Sequence, residues 1–490
     1  MSQRTNNSNH HLLAASFAGV IGFAYFYWKN QNHKTARKDA NANVLYSEDD
    51  WNALLSHYNR MAGVTTAADN NSTRSNRSKE NTCIYLDYNG TTPVYPPVMA
   101  AMLPYFTTHY GNPSSGHAYG KEPRRAIDEA RQTILSTILG LDDNADPSSI
   151  WFVACGTEAD NLAIHLALQS TAKKFKEAKK LPHIVTSNVE HPAIEVCLKA
   201  LEDEGRIRVT YVPVQKDGCV KAQDMIAALT ENTILVTLML ANNESGALQP
   251  IKEVAEACRE RGILCHTDAA QAAGKVSCEL KDLGFPDMVS LVGHKIGAPK
   301  GIACLYVRPQ CYQEKDRSLS HSHGIMLLGG GQEHGRRGGT ENTPYIVGMA
   351  VAAKMASEHL AKNAQHMEAM RSRLLSRLED NLKDTDVVVR ANGPSDPNKR
   401  LPNTLSVGLK DIHSGDLLAE ISDKVAASAG ATCHSAAGVS SVLAAMQVPD
   451  EFARGTLRLS IGPSMAANSI DQAADLIARA ARDQSEMDTI

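Results

Sequence analysis

The chain has 490 residues, 43% of them hydrophobic and 21% charged, with 50 Lys plus Arg against 54 Asp plus Glu. That composition supports large apolar cores and excludes a disordered chain, and a net charge of -4 carries no global footprint for nucleic acid or an anionic membrane. The 10 cysteines are too sparse for a disulfide scaffold and none forms CxxC, which argues for reduced thiols and against zinc-ribbon or thioredoxin chemistry.

The N-terminus stands apart. Leu12–Trp28 is an uncharged apolar run ending in Tyr25, Tyr27 and Trp28, side chains that suit a membrane interface. As a helix it spans roughly 25 Å, slightly short of a bilayer core. Lys29, Lys34, Arg37 and Lys38 follow it and only Arg4 precedes it. The flanking charge favours a signal-anchor with its C-terminal side in the cytosol. A mitochondrial targeting segment is the alternative, because no acidic residue precedes Asp39. A cleaved secretory signal fits less well, since its basic residues belong before the apolar run. Residues 41–82 read as a polar linker, with small and polar residues over 62–82 and almost nothing to bury.

From Cys83 onward short apolar, mostly β-branched runs alternate with amphipathic ones. The runs Ile150–Val153, His183–Thr186, Val209–Val214, Thr233–Leu240, Ile263–Thr267, Met288–Val292 and Ile302–Val307 predict strands. Arg124–Leu139, Ala193–Glu204 and Ile251–Arg261 predict helices, and 346–382 predicts one long helix. This alternation predicts an α/β fold with a mostly parallel sheet covered on both faces. The expected organisation is a large domain over 99–345 and a smaller α/β domain built from 83–98 and 346–490.

Ligand sites in such sheets lie beyond the carboxyl ends of the strands. Gly156 and Thr157 open a helix after the first run, either a phosphate site or an ordinary helix start. His191 follows the second run, where a lone histidine is more often structural. Asn243 follows the fourth, in a turn that suits either a polar heterocycle or an Asn-rich loop. Asp268 and Gln271 follow the fifth, and the carboxylate suits either a protonated ring nitrogen or an N-cap. His294 and Lys295 follow the sixth. A lone lysine is usually a solvated charge, but an enclosed one is neutral enough to form a Schiff base. Each signal is weak alone. Their order along successive strands describes a pyridoxal 5'-phosphate site.

Here the sequence resembles the selenocysteine lyase and cysteine desulfurase family of fold-type I pyridoxal phosphate enzymes, related to the class-V aminotransferases. The resemblance runs from Tyr85-Leu86-Asp87-Tyr88-Asn89-Gly90-Thr91-Thr92-Pro93 through Gly111–Ser115, Asn242–Gly246, Asp268–Gln271, Gly293-His294-Lys295, Gly329–Thr343 and Gly430–Ser435 to Gly455–Gly462. Residues 1–82 lie outside it. It implies a seven-stranded, mostly parallel sheet in the large domain and a homodimer. It implies that Lys295 carries the cofactor, His191 stacks on its ring, Asp268 pairs with the ring nitrogen, and Asn243 and Gln271 bond its oxygen substituents. Gly156, Thr157 and His294 would bind the phosphate, with Thr340 reaching over from a partner subunit. Arg458 would clamp the substrate carboxylate, Asn89 would line the same site, and Cys433 would take the chalcogen. Val292 departs from the family, which often has serine there, so one phosphate hydrogen bond is expected to be absent. The motifs around Val292, Cys433 and Thr340 look more like selenocysteine lyases. The reading is therefore conversion of L-selenocysteine to L-alanine and selenide, with cysteine desulfuration through a Cys433 persulfide as the alternative and an acceptor protein as a further partner.

Overall fold

In the computed structural model, residues 83–311, 326–430 and 439–487 are described. The sheet at its centre has seven strands: β2 (Ile150–Val153), β3 (His183–Ser187), β4 (Arg208–Val212), β5 (Thr233–Thr237), β6 (Leu264–Asp268), β7 (Met288–Val292) and β8 (Ala303–Val307). They lie in the order β2-β8-β7-β6-β5-β3-β4. Only β8 runs against its neighbours β2 and β7; the remaining pairs are parallel. Each predicted run forms a strand, with ends shifted by a few residues.

The sheet is buried on both faces, and the two-residue period of a strand sorts the side chains. Ile150, Phe152, Val289, Leu291, Cys304 and Tyr306 join one core. Trp151, Val153, Met288, Val292, Ala303 and Leu305 join the other. Helix α1 (Ala118–Thr137) supplies Ile127, Ala130, Ile134 and Leu135 to the first. Helices α2 (Gly156–Ala178) and α3 (Pro192–Asp203) supply Ala159, Leu162, Ala163, Ile194 and Leu198 to the second. Helix α4 (Ile251–Glu260) packs on the first through Ile251, Val254, Ala255 and Cys258.

A third core forms around an antiparallel sheet in the order β12-β13-β10-β9, with β9 at Val389–Asn392, β10 at Thr404–Leu409, β12 at Ser428–Ala429 and β13 at Thr456–Ser460. The early strand β1 (Ile84–Tyr85) pairs in parallel with β11 (Val425–Ala426), and Asp87 bridges to Ser460. The start of the described chain is thereby stitched to its end. The predicted helix over 346–382 is two helices, α5 (Thr343–Glu358) and α6 (Leu360–Leu382), parted at His359, whose φ is −111° and ψ 7°. The physical reason is a change of partner. Ile346, Met349, Ala352 and Ala353 of α5 pack into the first core, whereas Met367, Leu374, Leu378 and Leu382 of α6 pack into the core of the second sheet. There they meet Ile470, Ala473, Ala474, Ile477, Ala478 and Ala481 of α7 (Ala467–Met487), spaced along one helix face. No single straight helix faces both.

Candidate active site

The carboxyl ends of β2, β3, β5, β6 and β7 carry the residues that the sequence singles out. After β2, Cys155 occupies the N-cap of α2 in an extended conformation and gives no side-chain cap. The first N–H groups of a 23-residue helix therefore point out beside the exposed Thr157. Glu158 accepts from Ala154 N at 2.7 Å and from Arg337 Nε at 2.9 Å, so its charge is turned back into the protein. Gly156 is a cradle with no room for a side chain, because a Cβ there would meet Val292 Cγ2 at 2.7 Å. Val292 is buried in the second core of the main sheet, so the position where the family often has serine is an apolar wall under the helix start.

After β3, His191 is the N-cap of α3, and its Nδ1 accepts from Ala193 N at 3.1 Å. Pro192 follows at the first helical position, where its fixed φ suits and its missing N–H costs nothing. The cap leaves the ring proton on Nε2. The residue is exposed, yet surrounding protein lowers the pKa of its imidazole by desolvation, with Lys295 adding to this and Asp268 opposing it.

After β5, Asn242 folds the turn. Its Oδ1 accepts from Glu244 N at 2.9 Å and Ser245 N at 2.8 Å, and its Nδ2 donates to Val189 O at 3.1 Å. Asn242 is thus structural and fully buried, while Asn243 beside it is only half-buried. Asp268 ends β6, and its Oδ1 accepts from Ala270 N at 2.8 Å. Burial raises its pKa, opposed by that hydrogen bond, by His191 and by Lys295. His294 and Lys295 lie in the short 3-10 turn Gly293–Lys295 directly after β7. His294 Nδ1 lies 3.1 Å from Thr91 Oγ1, and its pKa falls to about 4, first by burial and then by Lys295 and Lys300, which keeps it neutral. Lys295 Nζ donates to the carbonyls of Asn89 and Gly90. Burial, then Arg458, lowers its pKa to about 8 against the opposing pull of Asp87 and Asp268.

Arg458 approaches from β13. Its Nη2 donates to Asp87 Oδ1 and to Ser428 Oγ, each at 2.8 Å, and its Nε is buried with no hydrogen-bond partner among the described residues. Asn89 lies beside Lys295 with its side chain turned inward. It is 1% exposed, its Nδ2 donates to Asn243 O at 3.1 Å and Thr404 Oγ1 at 2.8 Å, and its Oδ1 accepts from Asn403 Nδ2 at 3.0 Å and Lys275 Nζ at 3.3 Å. Every side-chain donor and acceptor is used inside the protein, so the Asn89 side chain braces the site, while its carbonyl accepts from Lys295. Gln271 is buried and reaches Asn89 O with Nε2 at 3.0 Å. Thr340 is exposed, on a segment that Arg337 ties to Glu158. Cys433 lies outside the described residues. The ends of its loop are joined by Ser440 N donating to Gly430 O at 3.1 Å. Ser440 Oγ also donates to Glu244 Oε2, so Ser440, with Gly430 joined to it, sits beside the Asn243 turn.

Sequence reasoning passed over several partners that sit within or next to the motifs it quoted. Asp87 holds Arg458. Lys275 lies four residues after Gln271. Asp160 and Glu190 are buried carboxyls whose pKa values are raised first by burial, with the charge of Asp268 adding to it. Asp160 and Glu190 carried a readable signal, since a carboxyl inside an otherwise apolar strand-to-helix motif needs a partner.

The donor set suits pyridoxal phosphate. It offers a free helix N-terminus at a glycine, an amine and an exposed imidazole whose pKa values are lowered, and a buried carboxylate. Such a constellation at the strand ends defines a lysine-anchored cofactor enzyme of the α/β type. The comparisons with known proteins agree. The aminotransferase class-V family model matches residues 84–473. The chain is 36% identical over 406 residues to cysteine desulfurase IscS of Clostridium botulinum, covering 82% of this chain and 96% of that protein. It is 41% identical over 380 residues to a cysteine desulfurase of Nostoc sp., covering 77% of this chain and 88% of that one. Among solved structures, a NifS-like protein superposes with a TM-score of 0.70 at 31% identity over 83% of this chain and 100% of that chain. SspA in complex with cysteine does so with a TM-score of 0.61 at 32% identity over 78% of this chain and 99% of that chain. The chain belongs to the class-V, pyridoxal phosphate-dependent family of cysteine desulfurases and selenocysteine lyases.

Proposed function

We propose that the protein is a cysteine desulfurase, converting L-cysteine to L-alanine and passing the sulfur to Cys433. The sequence motifs alone favour selenocysteine; the similarity to proteins named cysteine desulfurase, at 36% and 41% identity, moves the reading to sulfur. One structural observation carries it: Gly430 and Ser440, the two ends of the Cys433 loop, are tied through Glu244 to the turn that bears Asn243.

When bound, the cofactor supplies an electron sink for the substrate's α-carbon. Lys295 anchors it and then, as a free amine, moves the α-proton. Asp268 holds a negative charge where a ring nitrogen is to stay protonated. His191, kept neutral on its cap, offers a flat surface and an Nε2–H. Gly156, Thr157 and the neutral His294 receive the phosphate. Arg458 binds the substrate carboxylate through the N–H groups of its guanidinium that Asp87 and Ser428 leave free. The Cys433 thiolate attacks the substrate sulfur. The new S–S bond forms as the Cβ–S bond breaks, the bonding pair stays with the three-carbon fragment, and a proton added at Cβ completes alanine. Cys433 is left as a persulfide for an acceptor protein. Thr340 serves the partner's site in a homodimer, and residues 12–28 hold the protein at a membrane with the catalytic region facing the cytosol.

The test is product analysis with L-cysteine and L-selenocysteine, with peptide mass mapping of Cys433. Alanine from cysteine together with one added sulfur on the Cys433 peptide is the expected result. Turnover of selenocysteine with none of cysteine would return the assignment to a selenocysteine lyase.

A further inference from the structure

Lys275 belongs to none of the roles above. It is 6% exposed, and its Nζ donates to Gln271 Oε1 at 3.0 Å and Asn89 Oδ1 at 3.3 Å. Both partners are neutral amides. A buried cation without a carboxylate is costly, and burial, then Lys295 and Arg458, lowers the pKa of this amine to about 7. An apolar side chain of the same length avoids that cost, so the amine's retention calls for a reason.

The reason lies in the direction of its hydrogen bonds. A carboxamide has one accepting end and one donating end of nearly equal shape, and packing alone does not choose between them. Charged or neutral, the Lys275 amine has N–H groups for two oxygens. It therefore turns Oε1 of Gln271 toward itself and Nε2 away. One Nε2–H meets Asn89 O at 3.0 Å. The second N–H is left over. The same Asn89 carbonyl accepts from Lys295 Nζ, so Lys275, Gln271, Asn89 and Lys295 form one connected chain of donors and acceptors.

We propose that Lys275 is a positioning residue that locks the Gln271 carboxamide, so that Gln271 presents an N–H, not an oxygen, to the cofactor. The inference rests on Gln271 being a cofactor ligand, which the family resemblance implies. A cavity of about 320 Å³ borders Lys275 and Lys295, with Tyr88, Thr92, His359 and Met367 also on its wall. It gives a methionine at position 275 room to settle without overpacking.

The experiment is a double-mutant cycle on pyridoxal phosphate affinity and on the visible absorbance of the bound cofactor, using the wild type, K275M, Q271L and K275M/Q271L. Losing one oriented hydrogen bond is expected to weaken cofactor binding about tenfold in K275M and to shift its absorbance. The double variant should bind no more weakly than Q271L, since Lys275 acts only through Gln271. Wild-type affinity and spectrum in K275M, or two losses that multiply independently, overturn the proposal. Unchanged affinity in Q271L overturns it as well, by removing Gln271 from the cofactor site. Q271E covers the case in which K275M fails to fold. Glutamate keeps an acceptor for Lys275 but offers no N–H, so folding should survive while cofactor affinity falls; wild-type affinity there refutes the lock. No amino acid is present in these measurements, so they stand apart from the choice between cysteine and selenocysteine.

Discussion

Lys295 must be neutral to capture an aldehyde, and the structure sets how often it is. An ordinary lysine, with a pKa of ~10.4, has roughly one amine in 2,500 neutral at pH 7. With its pKa lowered to about 8, by the same arithmetic roughly one in ten is neutral, a gain of about 250-fold. The rate at which apoprotein takes up pyridoxal phosphate should therefore climb with pH and level off just above pH 8. Stopped-flow absorbance, with ionic strength held constant across the series, reads this directly. The cause is also testable. Arg458 is the second contributor to the lowered value, after burial. Replacing it by leucine removes a positive charge, so the plateau should move to higher pH. A rate that keeps rising tenfold per pH unit to pH 10 in the wild type would show that the site does not depress the amine, and the account of Lys295 would fail.

Arg131 and Glu333 form a buried pair at 2.8 Å, with side chains 5% and 2% exposed. R131M leaves the carboxyl unpaired and should cost about 3–5 kcal/mol in urea unfolding, the usual price of stranding a buried charge. G156A drives a Cβ onto Val292 Cγ2; cofactor affinity should fall by about an order of magnitude, and V292A in the same chain should restore much of it, read by fluorescence titration. R458L removes the charge-assisted grip on the substrate carboxylate, worth ~1.5–3 kcal/mol, so KM for cysteine should rise roughly 10- to 150-fold in steady-state assays. Glu190 is pushed up to about 8 by burial, against hydrogen bonds from Ser187 and Met239. Its folded pKa is raised, so the stability it contributes is full below about pH 4.5 and is lost as pH rises to about 8. E190Q should flatten that part of the Tm-against-pH curve.

The fold was legible where local rules and tertiary packing agree. A strand buried on both faces is mostly apolar, and Ile150–Val153 and Ala303–Val307 announce themselves for that reason. The break at His359 was not legible. No proline or glycine marks it, and it arises because the helices on either side pack into different cores. In the site, Asp268, His294 and Lys295 could be read because each directly ends or follows a strand. For Asn89 the motif gives proximity to the site but not the direction of its amide, which a buried network sets. Arg458 was readable as a cation on β13, but its tie to Asp87 joins positions 371 residues apart in sequence, a pairing that no local pattern encodes.

The acidic end of the site turns on which of its carboxyls keeps a charge. Asp160, Glu190 and Asp268 are all buried; Asp268 raises the pKa of both others, and Glu190 raises that of Asp160. Three adjacent buried anions are untenable, so protons must be distributed among them. Asp160 has the Ser290 hydroxyl and, at 3.7 Å, His266, and burial drives that imidazole's pKa to about 3, leaving it neutral between Thr237 and Ser290 hydroxyls. Glu190 has hydroxyl and backbone donors but no cation acting on it. Asp268 alone is favoured in its charged form by both His191 and Lys295, as well as by Ala270 N. The negative charge therefore settles on the carboxyl at the tip of β6, and the two behind it are held as acids. A protonated pyridine nitrogen needs its anion at that strand end.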